Sequence, residues 1–159
     1  MKFLIGLAVF TLTAVLAWPY LYVWRLDGAV AARDVQALGR LVDIESVRQQ
    51  VKAEFSRDVN DAVGSDGGQI YRWVKQGIKA VSDTAIDANI DLEWVLSTLE
   101  TRPGEPPEQR ASLMGDMTYA FYESYDTFIV RLGELGDNAM HLRLRLQNNE
   151  WRVVEIFTE

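Results

Sequence analysis

The sequence predicts an α+β protein: an N-terminal transmembrane helix, then about four helices packed on a C-terminal antiparallel sheet of three to four strands. Three observations predict it. Phe3–Trp24 carries no charged residue. From Leu26 to Leu99 apolar residues recur at spacings of three and four, the period of a helix with one buried stripe. Beyond Pro107 the period becomes two, as in strands with one buried face. Helices and strands in separate blocks place the helices on one face of a sheet.

The leading segment is long enough to span. At ~1.5 Å per residue, Phe3–Trp24 reaches about 33 Å, against a hydrocarbon core of about 30 Å. Its aliphatic part, Phe3–Leu16, gives way to Trp18, Tyr20, Tyr22 and Trp24, rings of the kind that settle at the headgroup level. These four are the candidate membrane-interface belt, and the bilayer is the partner expected for residues 3–24. A cleaved signal peptide is the competing reading, with Val15-Leu16-Ala17 as its small-x-small site. The apolar run continues seven residues past Ala17, more than a signal peptide needs, so a retained anchor over 1–24 is expected. The remainder, 25–159, is one domain's worth of chain, helical over 25–102 and sheet over 117–158.

Composition narrows the function. The chain has 159 residues, a net charge of −7 and no cysteine. An acidic chain has no electrostatic footprint for nucleic acid. No basic cluster follows the span to hold anionic lipid.

The elements follow in order. Arg25–Val42 reads as a helix continuing the span. Asp43 suits the N-cap of the next helix, Ile44–Val63, whose stripe is Ile44, Val47, Val51, Phe55, Val59 and Val63. Gly64–Gly68 reads as a loop and Gln69–Ala85 as a third helix. Asp91 can cap a short fourth helix carrying Leu92, Val95, Leu96 and Leu99. Pro103-Gly104-Glu105-Pro106-Pro107 ends the helical half. Strands are expected over Tyr119–Tyr125, Thr127–Leu132, Ala139–Gln147 and Glu150–Phe157, with turns at Gly133–Asn138 and Asn148-Asn149.

Several features resemble a known family. They are Trp18-Pro19-Tyr20; Tyr22-x-x-x-Leu26-x-x-Ala29; Arg33-Asp34-Val35-x-Ala37-Leu38-x-x-Leu41-Val42-Asp43-Ile44-x-x-Val47-Arg48; Phe121-Tyr122-Glu123-Ser124-Tyr125-Asp126-x-Phe128; and Trp151-Arg152-Val153-Val154. Together they resemble the bacterial domain-of-unknown-function family 2939, whose members are short and carry an N-terminal hydrophobic segment. The resemblance implies a bacterial inner-membrane protein and supplies no catalytic residues. A fainter likeness is to the nuclear-transport-factor-two-like superfamily, through the Ala29 and Asp34 cadence and the closing Trp-containing strand. With the span read as a secretory-type signal, the domain is expected on the periplasmic side of a single-pass protein.

Candidate sites are few. Arg131, His141, Arg143, Arg145 and Arg152 fall opposite the expected core face and form a candidate anion or partner surface. The bland alternative is cross-strand pairing with Glu123, Glu134, Glu150 and Glu155. His141, the single histidine, reads as a surface or sheet-edge residue. Asp83, Asp87 and Asp91 are spaced by four, which helix capping and solvation explain better than a metal site. Residues 58–101 hold eight acidic and three basic side chains, read as solvated helix faces. Trp73, Trp94, Tyr119, Phe121, Phe128 and Trp151 read as core. No phosphate loop and no nucleophile elbow is present. No catalytic residue, metal or cofactor is therefore expected. The expected function is a non-enzymatic accessory or scaffold domain binding protein partners in an envelope complex. The alternative is a carrier of a small ligand or lipid, with an apolar pocket between helices and sheet.

Overall fold

A computed structural model describes residues 2–60, 83–101, 112–133 and 139–158. The architecture is α+β, as the change of period predicts. Helix α1 spans Lys2–Ala31, α2 Val35–Leu41, α3 Ile44–Asn60, α4 Asp83–Asn89 and α5 Leu92–Glu100. Strands β1 (Met117–Ser124), β2 (Thr127–Leu132), β3 (Met140–Gln147) and β4 (Glu150–Thr158) form one antiparallel sheet in the order β1-β2-β3-β4. Asn148 and Asn149 both take positive φ, 50° and 64°, which suits the two-residue turn joining β3 to β4. The expected loop at Gly64–Gly68, the Pro-rich break at 103–107 and all but the last three residues of the helix expected over Gln69–Ala85 lie outside the described residues.

α1 is one helix with two environments. At ~1.5 Å per residue its thirty residues extend about 45 Å. From Phe3 to Trp18 its side chains are exposed. Pro19 is buried, and Val23, Leu26, Ala29 and Val30 then enter the core. By length and composition the helix could cross a membrane, a test that signal sequences also pass. Contact with the folded body begins well before position 25. The Tyr122 hydroxyl donates to the Val15 carbonyl at 2.8 Å, and the Tyr20 hydroxyl donates to the Ala120 carbonyl at 2.9 Å. The Tyr20 ring meets Phe128 edge-on at 5.0 Å.

The helix expected over 25–42 is broken. Arg33 sits at φ 52°, in the left-handed region. The Asp34 amide donates to Ala29 and the Arg33 amide to Val30, the paired bonds of a Schellman ending. Asp34 then caps α2, accepting the Ala37 amide at 2.9 Å. The chain thus turns back between α1 and β4. α4 is an element that the apolar spacing does not single out.

The core joins every described element. Phe128, Leu26, Leu38, Ile86, Leu99, Leu113, Leu142 and Ile156 are among its fully buried side chains. At the sheet edge formed by β4, backbone groups are taken up by the helical half. The Gln50 amide on α3 donates to the Ile156 carbonyl at 3.1 Å, and its oxygen accepts the Ile156 amide at 3.0 Å. The Asp43 amide donates to Val153 at 2.9 Å. An edge whose donors and acceptors are occupied cannot template another strand there.

Two outcomes follow. Leu26→Ala should destabilise the folded body by about 2–5 kcal/mol, whereas Leu7→Ala, on the exposed part of the same helix, should leave it unchanged. Urea unfolding in mild detergent measures both. Gln50→Ala should cost about 1–3 kcal/mol by stranding two backbone groups, and should speed amide exchange at Ile156 more than elsewhere in β4.

Candidate functional site

The face of the sheet away from the helical core is not simply wet. β2 is buried along its whole length, on both faces. Arg131 is 5% exposed and His141 3%. The sequence reading of His141 as a surface or edge residue is therefore corrected: it lies on an inner strand, under a roof of side chains. The reason is in the register, which aligns Tyr119, Arg131, His141 and Phe157 across the four strands. Rings on the two edge strands fold over the inner pair. Phe157 stacks on the imidazole at 5.0 Å with 10° between planes. Tyr119 lies beneath the Arg131 guanidinium at 5.6 Å, and its hydroxyl is 3.5 Å from His141 Nε2. Cation–ring contacts of this kind are worth about 0.5–2 kcal/mol as they lose water. Tyr119 and Phe121 thus belong to the outer face, at 39% and 49% exposure, not to the core as their spacing suggests. Phe128 and Trp151 are in the core, Trp94 packs against it, and Trp73 lies outside the described residues.

The next row holds Phe121, Ile129, Arg143 and Glu155. Arg143 lies over Phe157 at 5.4 Å, pairs with Glu123 at 3.2 Å and contacts Glu155 directly. Arg152 pairs with Glu150 at 3.2 Å. Cross-strand pairing therefore accounts for Arg143, and pairing along its own strand for Arg152. Arg145 is the most exposed of the five candidates. The five do not form one open cationic surface: two are roofed, two are ion-paired, and Arg145 faces outward.

Arg145 borders a groove of about 510 Å³ between α3 and the sheet. Ser46, Gln49, Gln50 and Glu54 form its helix wall, and Arg143, Arg145, Glu155 and Phe157 its sheet wall. Sequence reasoning missed the helix wall. The available signal was the polar stripe at 46, 49, 50 and 54, flanking the apolar stripe at 47 and 51. With two arginines and two glutamates along its walls, the groove carries amides and balanced charge. That suits recognition of a polar surface by hydrogen bonds.

One end of the groove is fixed by Asp43. Its carboxylate accepts the Ser46 amide at 3.2 Å, the Ser46 hydroxyl at 2.8 Å and the Gln147 amide at 3.1 Å. Burial pushes this carboxyl up, but the bonds from Ser46 and Gln147, with the Arg152 charge, outweigh it and hold the group below its ordinary 3.8. Of the three spaced aspartates, Asp87 pairs with Lys52 at 2.6 Å and Asp91 caps α5 through the Trp94 amide at 2.8 Å. The Asp83 side chain lies outside the described residues.

The candidate belt is divided by the helix. Trp18 and Trp24 are 37% and 61% exposed, Tyr20 is turned onto Phe128, and Tyr22 is half-buried beneath Arg25 at 5.4 Å. A second groove, of about 500 Å³, opens between α1 and α2 beside Tyr22, Trp24, Ala29 and Leu41.

The profile of the family described as Protein of unknown function (DUF2939) matches residues 8–97, over half of the chain. The chain belongs to this family. The matched region takes in most of α1, the Arg33 turn, α2, α3 and most of α5, so the shared part of DUF2939 includes the exposed helix and the elements that cover the β4 edge. No curated protein and no solved structure matches the chain, so the likeness to the nuclear-transport-factor-two-like superfamily gains no support.

The Asp43 geometry sets a pH response. Because the folded carboxyl is held low, its stabilisation is fully present above about 3.8 and is lost as pH falls through the folded value. Asp43→Ala should cost about 1–2 kcal/mol near neutral pH. Relative to Asp43→Asn, the native protein should lose its electrostatic advantage only in acid, as read from urea midpoints across a pH series.

Proposed function

We propose that this DUF2939 protein is a membrane-anchored, non-enzymatic accessory or scaffold domain that binds protein partners in a bacterial envelope complex. The domain faces the periplasm, held by a single span at the inner membrane. One observation carries this reading: α1 passes without a break from its exposed apolar half into the core. A domain joined in this way cannot swivel on a loose linker. Its outer sheet face and α3 groove keep a set orientation to the anchor, as a docking platform requires.

The chemistry of the groove supports recognition. Arg143 is neutralised by Glu123 and Glu155, and the Gln50 amide is committed to the β4 edge. Arg145 and Gln49 remain at the rim as exposed polar contacts. Against the carrier alternative, Phe128, Val130, Leu142 and Leu26 fill the space where an apolar pocket between helices and sheet would lie.

The test is purification of the tagged full chain from solubilised membranes, with mass spectrometry for both proteins and lipids. The expected result is a stoichiometric protein partner that is lost with Arg145→Glu while the fold persists. A chain that purifies alone, or with a stoichiometric small ligand, would overturn the scaffold reading.

A further inference from the structure

We propose that the β1–β2 hairpin tip is a second membrane contact, with Tyr125 seated in the headgroup layer on the domain's side of the bilayer. This rests on the anchored reading above and goes beyond it, because it assigns a lipid-facing part to the sheet itself.

The argument begins with how far the body descends along its own anchor. Three contacts align β1 against α1 in opposite directions. Asp27 accepts the Leu113 amide at 2.7 Å, just before β1 begins. Tyr20 reaches Ala120, and Tyr122 reaches Val15. As β1 proceeds toward its turn, its contacts move toward the N-terminus of α1. The turn lies beyond Tyr122, so the tip extends further toward the apolar end of the helix. At ~3.3 Å per residue, the three residues from Tyr122 to Tyr125 can carry it up to about 10 Å further.

The length of free helix then decides the matter. N-terminal to Val15, only Phe3–Ala14 is apolar and clear of the body, about 18 Å at ~1.5 Å per residue. A hydrocarbon core of about 30 Å needs roughly twenty residues, which extends from Phe3 to about Tyr22. Val15–Tyr22 is the stretch to which β1 is bonded. A span through α1 therefore brings the hairpin tip to the bilayer, unless the membrane thins to meet the shorter segment. Thinning of that kind also ends with the lipid surface against the tip.

The side chains at the tip fit an interfacial position. Tyr125 is 88% exposed, the most exposed large apolar or aromatic side chain among the described residues. Asp126 accepts the Ser124 hydroxyl at 2.6 Å and the Thr127 hydroxyl at 3.3 Å, so the turn's polar groups are bonded to one another and the ring projects. Phe121 is half-exposed on β1, and the exposed Arg145 lies in register with Thr127, beside the turn. An amphipathic ring with a nearby guanidinium is a combination that favours the headgroup region over either water or hydrocarbon. The backbone of an edge strand would be costly in hydrocarbon, which holds the tip in the interfacial layer.

The native chain has no cysteine, so single labels can be placed without other changes. The full chain is reconstituted in phosphatidylcholine vesicles with a nitroxide at Leu7→Cys, Tyr125→Cys or Gln36→Cys. Gln36 is exposed on α2, beyond the body-bound end of α1. Relaxation by oxygen is compared with relaxation by a water-soluble nickel complex. The expected order of the oxygen-to-nickel ratio is Leu7 highest, Tyr125 several-fold above Gln36, and Gln36 as in water. A lipid-like label at Leu7 with Tyr125 equal to Gln36 would overturn the hairpin contact and leave the anchor standing. A water-like label at Leu7 would overturn both.

Discussion

The structure depends on one helix with an exposed apolar half and a half that enters the core. Over its first half α1 presents exposed apolar side chains on every side, a pattern of a membrane span or of a signal sequence. Over its second half it keeps the same backbone but narrows the apolar demand to one face, where Val23, Leu26 and Val30 meet the sheet. Each such side chain contributes about 1.5–3 kcal/mol by leaving water, so the junction is as firm as the rest of the core. Tyr20 and Tyr122 reinforce it by closing hydrogen bonds in both directions across the helix–strand contact. The body and the exposed half of α1 are therefore one mechanical unit.

That arrangement leaves two sheet edges to be managed. At β1, α1 supplies the Tyr20 hydroxyl to Ala120 and takes the Tyr122 hydroxyl on Val15. At β4, the chain reaches the edge only because α1 stops. The left-handed Arg33 ends the helix, Asp34 starts α2, and Val42-Asp43 then runs beside Val153 as a short parallel bridge. Gln50, two turns into α3, closes the next edge position with both ends of its amide. A non-glycine residue in the left-handed region costs about 1–2 kcal/mol, and here the Glu100 ion pair at 3.2 Å offsets part of it. Without the turn α3 could not lie along β4, and the groove beside Arg145 would have no second wall.

Much of this was legible because it is local. Asp43 and Asp91 could be read as helix caps because the capping bond is made within three residues. The strands could be read from alternation, and the observed Met117–Ser124 differs from the expected Tyr119–Tyr125 by two residues at its start. The Arg33 break was hidden because nothing marks it in composition: glycine is the usual residue there, and arginine is not. Arg131 and His141 were misread because alternation distinguishes two faces but cannot say whether the second is wet. Their burial comes from Tyr119 and Phe157, which lie far apart in sequence and meet only through register.

The roofed outer face has a consequence for recognition. Burying Arg131 and His141 beneath rings uses their charge and hydrogen-bonding capacity within the sheet, and Arg143 is spent on Glu123 and Glu155. Of the five candidate cations, only Arg145 then faces outward without a roof of rings or a strand-neighbour ion pair, so the face is not a broad anion-binding surface. Rigidity lowers the ordering cost of association, and charge balance removes long-range attraction for unrelated anions. Under the proposed function, a partner is selected by shape and hydrogen bonding along the α3 groove, in an orientation that α1 fixes. On the proposed reading, address and presentation come from the same thirty-residue helix.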